Sequence, residues 1–387
     1  MTLNPRLAPF GTTIFAEMSA LAVELGAVNL GQGFPDSDGP TEVLDVAVEA
    51  IRSGLNQYPP GPGMPVLRAA IATHQHRFYG VDYDADTEVL VTAGATEAIA
   101  GAMLGLLQEG DEVIVFEPMY DSYQACIALA GARAVPVTLR PPEYRPDIDR
   151  VRSLVGPRTR AILVNSPHNP TGMLLTDAEQ AEIATIAAEH DLVVISDEVY
   201  EHLVFDGLRH RSMAEYPGAR DRTLVISSGG KTFRTTGWKI GWVCGPSHLV
   251  AAVRAAKQFL TYVNGGPFQP AIAHGLGMSD AYFRGVADEL AARRDELVPA
   301  LRSVGFDVYP SQSTYFVTVD VRAVAPGVDG RAFCVRMAHE AGVVAIPNLV
   351  FYSGANKDEG RSLVRFAFCK RPEVIAEACR RLGDWSL

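Results

Sequence analysis

A chain of 387 residues, 48% hydrophobic and 20% charged, has the composition of a globular protein large enough for two domains. Its 34 basic and 45 acidic residues leave a net charge of −11, which repels phosphate backbones and argues against nucleic acid as a partner. Five scattered cysteines (Cys126, Cys244, Cys334, Cys369, Cys379) include no CxxC pair, no apolar run approaches the roughly 18 residues of a membrane span, and no basic stretch leads into an apolar one near residue 1; the expectation is a cytoplasmic protein with no membrane contact.

In chain order, Thr12–Leu25 places Ile14, Met18, Leu21 and Leu25 on one helical face, and Gly26 ends it. GQGFPD at Gly31–Asp36 is a turn-rich segment, Thr41–Gly54 reads as an amphipathic helix, and NQYPPGPG at Asn56–Gly63 is too rich in Pro and Gly for regular structure. Short β-branched runs then recur at Glu88–Thr92, Val113–Phe116, Ala134–Thr138, Ala161–Asn165, Leu192–Ser196, Thr223–Ser228 and Ile240–Cys244. Alanine-rich helical stretches such as Thr96–Leu107 and Asp177–His190 alternate with them, the second opened by a capping box from Thr176 to Glu179. Continuous apolar strands alternating with helices predict a mostly parallel sheet of seven strands covered on both faces. After Ser279 the pattern changes to a charged helix around Asp288–Leu301, then the strands YFVTVD and LVRFAFCK. The expectation is a large α/β domain over 41–278 and a smaller α+β domain over 279–387 completed by residues 1–40.

Several familiar motifs fail. Gly230-Lys231-Thr232 resembles the end of a P-loop, but the glycine required five residues before Gly230 is Val225. Gly31-x-Gly33 is followed by Asp36 where a dinucleotide fingerprint needs glycine. Neither serine before Lys231 lies in a GxSxG elbow. His74 and His76 are two apart and do not share a helix face, which argues against zinc; no metal is expected.

Ligands of an α/β sheet sit at the carboxyl ends of its strands. Thr223–Ser228 runs into Gly229-Gly230-Lys231, which presents a lysine at a strand end after two glycines that allow a sharp turn. A desolvated lysine there suits Schiff-base chemistry, whose amine must be neutral; taken alone, Lys231 reads more readily as a solvated loop lysine. Asp197 ends LVVISD as a cap for the next segment or as a buried counter-ion, with Tyr200 one helical turn further on. Asn169, fixed by the proline after it, is a turn residue or a ligand, and His168 reads as structural. In VTAGATEAI the helix beginning near Ala95–Thr96 offers free N–H groups and a positive dipole end to an anion.

The ordered set NQYPPGPG, GATEA, EPMYDSY, SPHNPTG, DEVYEHL, SSGGKTFRTTGWKIGW and LVRFAF resembles the class I/II aminotransferases of fold type I, which use pyridoxal 5′-phosphate (PLP), over nearly the whole chain. DEVYEHLVFD, GWKIGWVCGP, VRAAKQ, PFQPA and LVRFAFCKR are similar to the actinobacterial N-succinyldiaminopimelate aminotransferases, which in turn resemble the kynurenine/glutamine aminotransferase subgroup. The resemblance implies roles residue by residue. Lys231 would link the cofactor and move the substrate proton. Asp197 would pair with the pyridine nitrogen, while Asn169 and Tyr200 would bond the ring 3′-oxygen and Tyr120 would stack on the ring. Ala95, Thr96, Ser228 and Lys239 would hold the phosphate, joined by Tyr58 from the neighbouring subunit of a homodimer. Arg365 would clamp the substrate α-carboxylate beside the Gly33 backbone. One departure stands out: many class I members carry arginine eight residues after the lysine, where this chain has Lys239, a point charge without the planar fork.

The activity implied is amino transfer between an L-amino acid and a 2-oxo acid. The donor would be N-succinyl-LL-2,6-diaminopimelate and the acceptor 2-oxoglutarate, as in lysine biosynthesis. A broad kynurenine, glutamine or methionine transaminase and a C–S β-lyase are the alternatives on the same scaffold. A regulator with an aminotransferase-like effector domain would carry a basic winged-helix segment ahead of residue 12, for which this acidic chain leaves no room.

Overall fold

The computed structural model describes residues 4–8, 10–11 and 13–386. Seven strands form one sheet, in the spatial order Val89–Ala93, Ile240–Cys244, Thr223–Ser228, Val193–Asp197, Thr159–Asn165, Glu112–Glu117 and Arg133–Thr138. All neighbours pair in parallel except Ile240–Cys244, which runs against both of its own. Glu112–Glu117 and Thr223–Ser228 are buried along their whole length and Val193–Asp197 at all but its first residue, as expected when helices cover both faces. One face buries Leu90, Met103, Val115, Ile195 and Ile226 together; the other buries Ile114, Val137, Val164, Ile183 and Val194. These runs are apolar without alternation because neither face meets water.

A four-stranded antiparallel sheet follows, in the order Ile346–Pro347, Leu363–Ala367, Phe316–Asp320 and Asp307–Val308. The charged helix before it runs further than its sequence pattern suggested, over Asp280–Ser303, with Leu297 and Leu301 buried. Thr12, where the sequence opens the first helix, lies outside the described residues. The helix described is Ile14–Leu25, ended by Gly26 at φ 57°. Its Met18 and Ala22 pack into the same core as Val317, Phe366 and Val343, and Val28–Asn29 pairs with Val343–Val344. The N-terminal residues therefore bury their apolar face against the C-terminal part of the chain.

Elsewhere boundaries move by one to three residues, the strand expected over LVRFAFCK ending at Ala367. The helix expected from Thr96 begins at Gly94, and the capping box at Thr176 and Glu179 forms with both of its hydrogen bonds. No helix of the described residues is long and apolar enough to cross a membrane.

Candidate active site

The parallel strands all point their carboxyl ends to one edge of the sheet, so residues far apart in sequence meet there. Asn165 stands opposite Asp197 in the strand register, and Asp197 opposite Ile226, two residues before Ser228. A cavity of about 330 Å³ opens on this edge. Its lining includes Gly33, Ala95, Thr96, Tyr120, Asn169, Asp197, Tyr200, Ser228, Lys231, Lys239 and Arg365, which is every singled-out residue except Tyr58. Tyr58 is 82% exposed and packs edge-on against Tyr262 with ring centroids 5.6 Å apart.

Lys231 sits in a short helix, Gly229–Thr232, that follows the strand without a break. The chain does turn from strand into helix at these two glycines, and close packing also requires them. A Cβ on Gly229 would stand 2.8 Å from Ile272 Cδ1, and one on Gly230 would stand 3.0 Å from Thr236 Cα. Lys231 is half-buried, and desolvation of its amine among the cavity walls lowers its pKa from 10.5 to about 8. It donates a hydrogen bond to the Tyr315 hydroxyl at 3.0 Å.

Asp197 is 4% exposed, and burial raises its carboxyl pKa from 3.8 to about 6. Tyr123 donates to its Oδ2 at 2.6 Å. The Val199 N–H donates to Oδ1 at 3.4 Å, so the carboxylate caps the turn that follows and also lines the cavity. Tyr200, expected one helical turn on, lies in a turn instead and still reaches the cavity wall.

Asn169 is held by its own backbone, whose N–H bonds Asn165 Oδ1 at 2.8 Å. Its side-chain oxygen accepts from Arg365 Nη1 at 2.9 Å, and Arg365 Nη2 donates to the Gly31 carbonyl at 3.2 Å. The guanidinium is 2% exposed, lies 4.0 Å from the Phe316 ring centroid and leaves its Nε without a partner. Burial lowers its pKa to about 10. A buried cation left unsatisfied in this way is costly unless an anion arrives.

The other end of the cavity is a second anion trap. Gly94, at φ 74°, opens the helix Gly94–Leu106, whose first N–H groups have no intrahelical acceptors. Lys239 Nζ would lie 3.3 Å from a Cβ placed on Gly94. A lysine beside the positive end of a helix makes a cationic setting that favours an anion bound between them.

Sequence reasoning missed Tyr123, Asn165 and Tyr315. Tyr123 lies three residues after Tyr120, and Asn165 ends a strand, so both carried a local signal. Tyr315 lies 84 residues beyond Lys231 and carried none. His168 is buried with Nδ1 2.7 Å from Thr171 Oγ1, in keeping with a structural role. His76 lies beside Asp82 on the surface, at 2.8 Å. His74 instead faces His202, Nε2 to Nε2 at 2.7 Å, with Glu201 close enough to make up a metal-type group; burial lowers both imidazole pKa values, and the two nitrogens are spent on each other.

A family model described as aminotransferase class I and II matches residues 26–382. The N-succinyldiaminopimelate aminotransferase structure from Mycobacterium tuberculosis superposes with a TM-score of 0.95 at 53% identity, covering 99% of each chain. The methionine aminotransferase of Escherichia coli is 40% identical over 99% of both chains, and its structure superposes with a TM-score of 0.95. The human kynurenine–oxoglutarate transaminase 3 is 33% identical over 99% of this chain and 90% of its own. With two anion traps, a desolvated lysine and a buried carboxylate gathered at one sheet edge of this fold, the chain belongs to the class I and II aminotransferases and is a fold type I enzyme of that family.

Proposed function

We propose that the chain binds PLP in this cavity and moves the amino group of N-succinyl-LL-2,6-diaminopimelate to 2-oxoglutarate, in the cytoplasm and as a homodimer. The observation that carries the cofactor reading is the set of uncompensated charges, each suited to one part of PLP. The helix start with Thr96, Ser228 and Lys239 suits a phosphate. The buried Asp197 suits a protonated ring nitrogen, and the neutral-prone Lys231 suits an aldehyde carbon. When bound, PLP supplies the electron-withdrawing ring that makes the α-hydrogen of an amino acid acidic.

The chain's own residues do the rest. Arg365 binds the α-carboxylate with its two η-nitrogens, displacing part of its contact to Gly31 and Asn169, and so orients the α-carbon. Lys231 Nζ, its pKa brought down to about 8 by desolvation, takes the proton from the α-carbon and returns it. Asp197 keeps its carboxylate charge once a cation sits against it, with Tyr123 fixing its orientation. Tyr120 and Phe316 wall off water. We assign residues 41–278 to the cofactor domain and 1–40 with 279–387 to the smaller one. Tyr58, exposed in the single chain, is assigned to the partner's phosphate site.

The substrate rests on the 53% identity to the mycobacterial enzyme. A second reading has its own support. The cationic side chains of the cavity are Lys231, Lys239 and Arg365, all assigned above, while Phe15, Phe34 and Ile99 present apolar surface. That lining suits a methionine or aromatic donor, and a succinyl carboxylate would need a cation from the second subunit. Stopped-flow half-reactions with N-succinyl-LL-diaminopimelate, methionine, kynurenine, glutamine and glutamate decide between them. A kcat/KM about tenfold higher for methionine or kynurenine, equivalent to ~1.4 kcal/mol, would overturn the succinylated donor.

A further inference from the structure

Lys231 does not simply hang into the active-site cavity. Its amine stands at a wall between that cavity and a smaller chamber bounded by Pro35, Ser37, Cys369 and Lys370. Tyr315 lines the smaller chamber, is 1% exposed, and sits edge-on to Tyr200 with centroids 5.3 Å apart. Its hydroxyl makes two hydrogen bonds of fixed direction. The one phenolic proton is given to the Gly33 carbonyl at 2.6 Å, so the oxygen is left to accept an N–H from Lys231 at 3.0 Å. A neutral amine has two N–H bonds and one lone pair. Spending an N–H on Tyr315 leaves the lone pair available on the cavity side, and Tyr315 cannot quench it without giving up Gly33.

The Gly33 end is equally constrained. A Cβ at this position would stand 2.6 Å from Phe316 Cζ, so the loop lies pressed against the residue that follows Tyr315. Gly31, two residues earlier, accepts from Arg365. The substrate-carboxylate arginine, the loop 31–33, Tyr315 and Lys231 are thereby joined in one continuous set of contacts.

We propose that Tyr315 is a positioning residue for Lys231: it holds the free amine by one N–H at the cavity wall, keeps it out of the smaller chamber, and ties its place to the loop that carries Gly33. This rests on the reading of Lys231 as the amine that links PLP. That linkage joins Nζ to the aldehyde carbon and releases the aldehyde oxygen as water with both amine protons, so the clamp acts on the free lysine, before linkage and whenever the lysine is released.

The test uses cofactor-free full-length protein and two probes. Pyridoxine 5′-phosphate, an alcohol that cannot link, reports binding by fluorescence quenching; PLP reports linkage by its absorbance change, with the site fixed by borohydride trapping and peptide mapping. Tyr315→Phe is expected to bind pyridoxine phosphate within twofold of the parent while PLP linkage slows about tenfold, the effect of losing one orienting hydrogen bond. A second protein with 3-fluorotyrosine at 315, a weaker acceptor of nearly the same volume, is expected to slow linkage about threefold to fivefold, and it carries the test if the phenylalanine variant does not fold. Linkage within twofold of the parent in the folded variants overturns the proposal, as does an equal loss for both probes, the signature of a residue that only packs. A trapped pyridoxyl group on another lysine of the parent protein instead sinks the assignment of Lys231 itself.

Discussion

Replacing Asp197 by asparagine should make the cofactor-free protein more stable and the enzyme nearly inactive. The carboxylate is buried, and folding raises its pKa from 3.8 to about 6. A group held less acidic in the folded state binds its proton more tightly there, so it costs nothing below its ordinary pKa, where it is protonated in both states. The cost grows as pH rises from 3.8 to about 6 and is complete above that. At roughly 1.4 kcal/mol per pH unit, the full cost is about 3 kcal/mol. Asparagine keeps an oxygen to accept from the Tyr123 hydroxyl, now 2.6 Å from Oδ2, and carries no charge to desolvate. Chemical denaturation of cofactor-free Asp197→Asn and parent protein at pH 4 and pH 8 is the assay. The variant should be more stable by about 2–3 kcal/mol at pH 8, with the difference shrinking toward pH 4. Its turnover should fall by several powers of ten, since an amide cannot hold a pyridinium nitrogen. Equal stability at both pH values, or a variant with near-parental turnover, would refute the claim that Asp197 is a buried charge kept for the cofactor.

Other outcomes follow from the two anion traps and the exposed Tyr58. Arg365→Lys loses the paired η-nitrogen contact and should lower kcat/KM on the order of a hundredfold while leaving cofactor absorbance intact, as read by steady-state kinetics and visible spectra. Lys239→Ala removes the cation beside the helix start and should weaken PLP binding by roughly tenfold or more, measured by equilibrium dialysis; unchanged affinity would leave the phosphate cradle without its lysine. Mixing Tyr58→Phe chains with Lys231→Ala chains should restore activity above either parent variant, because one site of the mixed dimer then carries neither lesion; no recovery, or a fully active monomer in sedimentation, would contradict the shared site.

The sheet and its site were legible for different reasons. Seven apolar β-branched runs marked the large sheet, because strands buried on both faces need no polar alternation. Strand-end residues such as Asp197 and Lys231 could be singled out because parallel order fixes where the carboxyl ends lie. What was hidden is long-range. Nothing near Lys231 announces Tyr315, and nothing near Asn169 announces that its side-chain oxygen would orient Arg365, 196 residues away. The glycines before Lys231 were visible as glycines, but the reason for them, Ile272 and Thr236 packed against their α-carbons, belongs to the tertiary structure. Residues 307–308 and 346–347 pair as two-residue edge strands, too short to leave a periodic signal.

The central claim is that Lys231 is the lysine that links PLP. The direct measurement is borohydride reduction of the PLP-reconstituted protein, proteolysis, and mass mapping of the pyridoxyl group. Loss of the visible absorbance and a single modified peptide carrying the label on Lys231 are expected. A label on Lys239, Lys257 or any other lysine, or no covalent label at all, would contradict it.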